Sequence, residues 1–146
     1  MAKFSTGLRN YMLGTGAFKT KMDAGFLKLY AGTVPATADA ALGAATLICT
    51  LSEDGGGNGL DWDTTPANGV IGKDTSQTWQ GENGATATAT FFRFVEAADD
   101  GTESTTAARI QGTIGPVGAD MLVANPALVN TETFTLNYFN VALPTL

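Results

Sequence analysis

The densest group of oxygen ligands in the sequence lies in the segment EDGGGNGLDWD, residues 53–63. Carboxylate and amide oxygens are the hard ligands that Ca²⁺ takes. The spacing departs from that of the EF-hand loop, and the consecutive glycines favour an acidic hairpin turn instead. We therefore assign no metal ligand, while calcium binding by Asp61 and Asp63 stays open at this stage. The candidate ligands are Glu53, Asp54, Asn58, Asp61 and Asp63.

Catalytic chemistry is poorly represented in the chain. Histidine, the commonest general base, is absent, so the usual serine triad is impossible. No GxxxxGK[ST] loop occurs, and the glycine-rich GTIGPVGAD lies between predicted strands instead of opening a helix. Asp and Glu are present, but nothing marks a pair for glycoside hydrolysis. We predict that the protein is not an enzyme, with no catalytic residue and no cofactor.

Cys49 is the single cysteine, so the chain cannot form an internal disulfide. It lies in the strand-like run TLICTLS and has no histidine with which to form a nucleophilic pair. Because free cysteine is among the most buried residue types, we predict that Cys49 is a small core residue.

Trp62 and Trp79 are the two tryptophans. Both could stack on sugar rings, which would make the chain a carbohydrate-binding β-sandwich. In a β-domain, however, tryptophans are more often core or interface residues. Carbohydrate binding is therefore kept as an alternative function.

The net charge of −6 is unevenly distributed. Residues 1–28 hold five basic residues and one acidic residue (5 − 1 = +4), and the remainder holds three basic and thirteen acidic residues (3 − 13 = −10). An acidic body disfavours nucleic-acid binding. The basic leading segment could face an acidic partner, although a solvated charged face is an equal alternative. The candidate partner-contact residues are Lys3, Arg9, Lys19 and Lys21.

Two short helical segments are predicted before Gly25. Residues 5–13 can be capped by Ser5 or Thr6 and ended by Gly14, and residues 18–24 form a second turn. Both are short for independent stability, so they need a surface on which to pack. We predict that residues 1–24 are a helical arm packed on a β-sandwich domain of residues 25–146.

After Gly25, strand-like runs alternate with turn residues at roughly ten-residue spacing. This pattern predicts an all-β fold, an antiparallel jelly-roll-like sandwich with short N-terminal helical turns. Residues 34–45 are predicted to form a loop. The runs span residues 25–32, 46–52, 60–64, 69–73, 77–81, 85–96, 107–115, 119–124 and 133–144.

The run ATATATFFRFVE, residues 85–96, changes its apolar side midway. Ala85, Ala87, Ala89 and Phe91 share one parity, whereas Phe92 and Phe94 have the other. Because strand side chains alternate, either a bulge shifts the register or both faces are covered. If both are covered, Phe91 is expected in the core, and Phe92 and Phe94 against something outside it, such as a partner.

Neither a secretion signal nor a membrane segment is evident. The start MAKFSTGLRNYML lacks the apolar run of a signal peptide, and no stretch approaches the ~20 apolar residues of a membrane helix. We therefore expect the protein to be made and assembled in a cytoplasm, with no membrane partner.

Three segments run in order between residues 5 and 125: STGLRNYMLGTGAFKTKMDAGFLKLYAGTVPATADAAL, TWQGENGATATATFFRFV and IQGTIGPVGADMLVAN. They resemble small structural proteins of tailed-bacteriophage virions. Within that group the sequence is most similar to capsid decoration or cement proteins, which clamp the outside of the shell.

The resemblance implies a jelly-roll-like fold and an assembly role, and it supplies no catalytic residues. It implies the major capsid protein as partner, repeated copies forming a homo-oligomer on the particle, and a location on the capsid exterior after assembly in the host cytoplasm. A tail or baseplate component is the alternative within the virion.

Overall fold

The computed structural model describes residues 1–143 and confirms the all-β, antiparallel prediction. Pro144, the end of the last predicted strand, lies outside the described residues. The two helices are α1 (Thr6–Gly14) and α2 (Phe18–Met22). The strands are β1 (Lys3–Phe4), β2 (Phe26–Ala31), β3 (Thr46–Glu53), β4 (Val70–Gly72), β5 (Trp79–Glu82), β6 (Ala87–Thr88), β7 (Phe91–Val95), β8 (Arg109–Gly115), β9 (Met121–Leu122), β10 (Ala127–Leu128), β11 (Thr133–Leu136) and β12 (Asn140–Ala142).

One large sheet has the strand order β1-β8-β7-β2-β3-β5-β11, with β9 pairing in parallel beside β8. Two smaller antiparallel pairs, β10-β6 and β12-β4, complete the sandwich-like fold. The rings of Trp79 on β5 and Phe94 on β7 lie 5.6 Å apart, although two strands separate them in the sheet. Neighbouring strands are ~4.8 Å apart, so the sheet must curl to bring these rings into contact.

The enclosed side of this curl is filled with aromatic rings. Trp62 lies at the centre, with ring centroids 5.0 Å from Phe94, 5.6 Å from Trp79 and 5.7 Å from Phe139. Trp62, Trp79 and Phe94 are fully buried. Edge-to-face and tilted arrangements dominate, as the charge distribution of aromatic rings favours.

The first segment is more than a helical arm. Ser5 caps α1 as predicted, because its Oγ accepts a hydrogen bond from the Leu8 N–H at 3.2 Å. Before that cap, β1 pairs with β8 and adds an edge to the main sheet. Leu8 and Met22 are fully buried in the same core as the strands. Residues 1–24 therefore share the core of the β-domain.

The predicted strand over residues 85–96 is two strands. β6 pairs with β10, and β7 lies in the main sheet. Extended strand structure is interrupted between them at Ala89-Thr90. Ala89 lies in the core cluster, and after the break the core side chains are Phe92 and Phe94. The register shift that the change of parity allowed is therefore present.

The opposite face of β7 is covered as well. Phe91 stacks on Tyr30 at 5.0 Å, and both Arg93 and Val95 are buried. The cover is the loop of residues 32–45, which connects β2 to β3 and crosses the neighbouring strands. We call this loop the strap. Both explanations of the parity change therefore apply: the register shifts before β7, and both faces of β7 are covered.

Side chains of the sheet hold the strap by its backbone. Six consecutive carbonyls, those of residues 35–40, accept hydrogen bonds from only four side chains. Arg93 reaches Thr37 and Ala40, with the latter contact at 2.7 Å. These donors satisfy the strap's polar backbone without a strand partner. The donors are Lys3, Arg93, Arg109 and Gln111.

Candidate functional site

An apolar groove of about 730 Å³ lies between α1 and β12. Its deep residues, Phe92 and Ile110, are 1% exposed, whereas Leu13 is 87% and Leu143 is 54% exposed at its rim. We call this depression the α1 groove. The remaining apolar side chains that line it are Met1, Ala2, Phe4, Met12, Phe139, Val141 and Ala142.

A second apolar cavity of about 160 Å³ continues the groove on the other side of β12. Val141 and Leu143 line both concavities, and Phe18 of α2 and Val70 of β4 add apolar walls to the second. The apolar surface therefore extends across β12. Contiguous exposed apolar surface of this kind usually marks an interaction site.

The α1 groove is produced by the helix and its short length. Leu8 faces the core, whereas Leu13, near the end of the helix, points away from it. The helix stops at Gly14, so nothing in the same element covers Leu13. The opposite wall is β12. This strand is held in place by its pairing with β4, in which Val141 lies opposite Ile71.

One basic and one acidic side chain line the α1 groove. Arg9 is exposed, donates to Thr6 Oγ1 at 3.0 Å, and takes part in none of the ion pairs found within residues 1–143. Asp120 pairs with the α-ammonium of Met1 at 2.8 Å; although burial acts to raise it, the pKa of its carboxyl is lowered, first by that ammonium and then by hydrogen bonds from the backbone N–H and hydroxyl of Thr113. The unpaired charge at this groove is thus positive.

Arg9 remains available to a partner, whereas the other predicted basic contact residues are engaged within the chain. Lys19 pairs with Asp23 at 2.8 Å, and Lys21 pairs with Glu96 at 2.5 Å. Lys3 is exposed and donates to the strap carbonyl of Ala36. Their first role is therefore to join elements of one molecule.

The assignment of Phe94 to a partner surface is wrong, and Phe92 reaches the surface only at the floor of the α1 groove. Phe92 is 1% exposed and Phe94 is not exposed at all, and both belong to the main core cluster. The Ala/Thr half suggested Phe91 as the core member, but the break at Ala89-Thr90 reverses the parity. Phe91 is equally buried, between the sheet and its cover.

The acidic segment around residue 61 acts as a structural connection. The two carboxylate oxygens of Asp61 accept from the Ala24 N–H and the Gln77 side-chain amide. Glu53 and Asn58 form a backbone bridge that closes the glycine turn. Within residues 1–143, no group of three or more acidic or cysteine side chains could hold a metal ion.

The other candidate side chains are also internal. Trp62 and Trp79 are fully buried, so neither can stack on a sugar at the surface. Cys49 is 2% exposed, as predicted, and burial raises the pKa of its thiol to about 11. A buried thiol of this kind has little of the thiolate that reacts at neutral pH.

A polar recess of about 360 Å³ near Tyr138 contains Lys73. The Lys73 ammonium donates to the backbone carbonyls of Asp74 and Gln77, and desolvation lowers its pKa. It also lies 5.7 Å from the Trp79 ring centroid. These contacts fix the connection before β5 and give Lys73 a structural role.

Comparison with family models, curated proteins and solved structures gave no match to this chain. No helix among residues 1–143 is long and apolar enough to cross a membrane. The α1 groove is the site that sequence reasoning missed. Its only local signal is a leucine on each side of α1, Leu8 and Leu13, since the opposite wall comes from residues 139–143.

Proposed function

We propose that the chain is a non-enzymatic structural protein of a tailed-bacteriophage virion. Within the virion, we assign it as a capsid decoration or cement protein with the jelly-roll-like fold that the resemblance implies. It binds the major capsid protein on the outside of the shell in repeated copies, and it stabilises the head by bridging subunits. It acts without nucleic acid, membrane or cofactor.

The α1 groove is the observation that supports this proposal most directly. An assembly protein needs apolar surface for neighbours, and Leu13 and Leu143 provide it beside an unpaired Arg9. The buried polar side chains of the described chain, by contrast, hold its own loops. Arg93 and Arg109, both fully buried, donate to strap carbonyls instead of facing a substrate.

Particles assembled without this protein provide the test. Purified protein added back to them is expected to bind the head and to raise the temperature at which the genome is released. Leu13→Asp is expected to bind more weakly while melting near the wild-type temperature, since Leu13 is exposed. Val117→Asp, at an equally exposed position away from the groove, is the matched control.

Electron cryo-microscopy of the reconstituted particle separates the alternatives. Density on the shell supports the decoration role, whereas density only on the tail or baseplate would replace it with the second virion role. Glycan-array binding by the free protein would instead favour carbohydrate recognition. The buried positions of Trp62 and Trp79 remove the feature that suggested it.

A further inference from the structure

Asparagine is followed by glycine at three places in the chain, Asn58-Gly59, Asn68-Gly69 and Asn83-Gly84. Such a pair is chemically labile, because glycine has no side chain to keep its backbone nitrogen away from the asparagine amide. The three pairs share one possible reaction, so the fold decides how readily each of them can undergo it. Their surroundings differ in the contacts that restrain the peptide group between the two residues.

Asn68-Gly69 forms the tip of a two-residue hairpin turn. Ala67 and Val70 exchange both of their backbone hydrogen bonds, each at 2.9 Å. The φ angle is 52° at Asn68 and 75° at Gly69, and positive φ at both central residues is the type I′ geometry. Both central residues are exposed, so water reaches them freely.

The peptide group between Asn68 and Gly69 is not restrained by the turn. Neither the Asn68 carbonyl nor the Gly69 N–H takes part in a backbone hydrogen bond found within residues 1–143. This peptide group can therefore rotate while the Ala67–Val70 hydrogen bonds on either side stay intact. Rotation of this kind brings the Gly69 nitrogen towards the side-chain carbonyl carbon of Asn68, which is the geometry that the reaction needs.

At Asn58-Gly59 the same peptide group is restrained, although Asn58 is also exposed. The Asn58 carbonyl accepts a hydrogen bond from the Glu53 N–H at 3.0 Å. Gly59 lies so close to the Ala24 backbone that a Cβ atom on it would come within 2.4 Å of that backbone. Rotation here breaks a hydrogen bond and meets a neighbouring segment.

Asn83-Gly84 is restrained most strongly. Asn83 is 2% exposed, and its carbonyl accepts from the Thr131 N–H at 2.8 Å. The Gly84 N–H donates to the Ile48 carbonyl at 2.7 Å, so the nitrogen that has to attack is itself engaged. Reaction at this pair therefore requires local unfolding.

We propose that Asn68 is a site of spontaneous deamidation in the folded protein, ahead of Asn58 and far ahead of Asn83. The Gly69 nitrogen gives up its proton to the solvent and bonds to the side-chain carbonyl carbon of Asn68. The amide nitrogen takes up a proton and leaves as ammonia, and a succinimide ring remains. Water opens the ring at either of its carbonyls, which gives aspartate or isoaspartate. A water molecule is consumed, an ammonia molecule is released, and no atom is oxidised or reduced.

Deamidation at this turn changes the apolar surface beside it. Gly69 and Val70 line the second cavity, and the Gly69 carbonyl accepts from the Leu143 N–H at 2.9 Å. Both products add a negative charge next to that cavity, and isoaspartate also inserts the side-chain methylene into the main chain of the turn. The reaction takes place in the free protein, so it does not depend on the proposed function.

Mass spectrometry of the purified wild type during incubation at mildly alkaline pH tests the site. Peptide mapping, with fragmentation that distinguishes isoaspartate from aspartate, follows residues 58, 68 and 83 separately. In the folded protein we expect residue 68 to react first and residue 83 at least about tenfold more slowly, because residue 83 reacts only after local unfolding. In urea-unfolded protein the three rates should become similar, since each asparagine precedes a glycine.

Two variants identify the reacting residue independently. Asn68→Gly suits positive φ and removes the reactive amide, and Asn58→Gly is the matched control at the other exposed pair. On isoelectric focusing, the first acidic form that the wild type produces should be missing from Asn68→Gly and present in Asn58→Gly. Residue 58 or 83 reacting as early as residue 68 would overturn the proposal, as would the same ratio of rates in unfolded protein. A residue 68 that stays intact in the folded protein while the unfolded protein reacts would overturn it too.

Discussion

Phe94 illustrates how much of the stability depends on single aromatic side chains. It has no exposed surface, and its ring lies within 5.6 Å of both Trp62 and Trp79. We expect Phe94→Ala to lower the free energy of unfolding by ~3–5 kcal/mol, a large share of a small domain's ~5–15 kcal/mol. Urea denaturation measures this loss.

Phe91 and Phe92 are expected to behave like Phe94, since each is buried within one chain. Leu13→Ala, at an exposed rim position, is the matched control and should change stability by about 0.5 kcal/mol or less. A Phe94→Ala protein that unfolds at the wild-type urea concentration would contradict the aromatic core.

Tyr30 makes the stability sensitive to alkaline pH. Burial, more than any nearby charge, raises the pKa of its phenol to about 12 from the ordinary 10.0. The folded state therefore favours the un-ionised ring. Its contribution is fully present below about pH 10 and is lost as the pH rises towards about 12. Two pKa units correspond to ~2–3 kcal/mol.

Comparing Tyr30→Phe with the unchanged Tyr30, each in a Cys49→Ala protein, at pH 9 and pH 11 by urea denaturation isolates this contribution. Because the raised pKa of Cys49 adds a similar alkaline loss, both proteins carry Cys49→Ala. Tyr30→Phe should lose less stability between the two pH values. Equal losses would show that the phenol ionises as freely in the folded state as in the unfolded one.

At the scale of elements, the strap depends on side chains of the sheet below it. Arg93 donates through Nε to Gln111 at 2.8 Å and through Nη2 to Thr37 and Ala40. In Arg93→Met these carbonyls lose their donor, so the strap should open first, while β7 stays protected by the core. Hydrogen exchange of residues 32–45 relative to β7 measures the difference.

Lys28→Met is the matched control, because Lys28 lies opposite Arg93 in the β2-β7 pair. No hydrogen bond found within residues 1–143 joins its side chain to the strap. It should leave strap exchange unchanged. Unaltered protection of the strap in Arg93→Met would mean that the carbonyl contacts contribute little to holding it.

Elements with a local signal could be predicted from the sequence, and those without one could not. Ser5 and Gly14 bound α1 because capping depends on neighbouring residues. The break at Ala89-Thr90 was foreseen as one of two options, since parity shows that a shift exists but not which face is inside. The strap was predicted only as a loop, because its contacts use carbonyls, which every residue has.

Long-range placement explains the remaining misses. Arg93 and Arg109 carry charge, which usually lies at the surface, but a distant segment buries both. The α1 groove combines α1 with residues 139–143, and no pattern within either segment indicates the other. Asp61 was identified as a candidate ligand from its residue type, but its hydrogen bonds connect neighbouring loops, and these partners lie too far away along the sequence to be read from it.

For the whole molecule, the N-terminal segment is part of the fold as well as part of a surface. Besides adding β1 to the sheet, it anchors other loops. The backbone N–H and hydroxyl of Thr6 both donate to the Asp39 carboxylate of the strap at 2.7 Å. Ser5 Oγ accepts from the Arg109 N–H at 2.9 Å and donates to the Ala107 carbonyl.

Deleting residues 1–14 is therefore expected to abolish cooperative unfolding of the purified protein. The deletion removes β1, exposes the core residues that Leu8 covers and frees Asp39 of the strap from Thr6, and together these losses approach the ~5–15 kcal/mol that a domain has. Calorimetry of the truncated chain measures this. Arg9→Glu serves as control, because it alters only the exposed side of the same segment and should melt cooperatively. A truncated protein that melts within a few degrees of the wild type would mean that residues 1–14 act only as a contact surface, and the β-sheet would then be a complete domain without them.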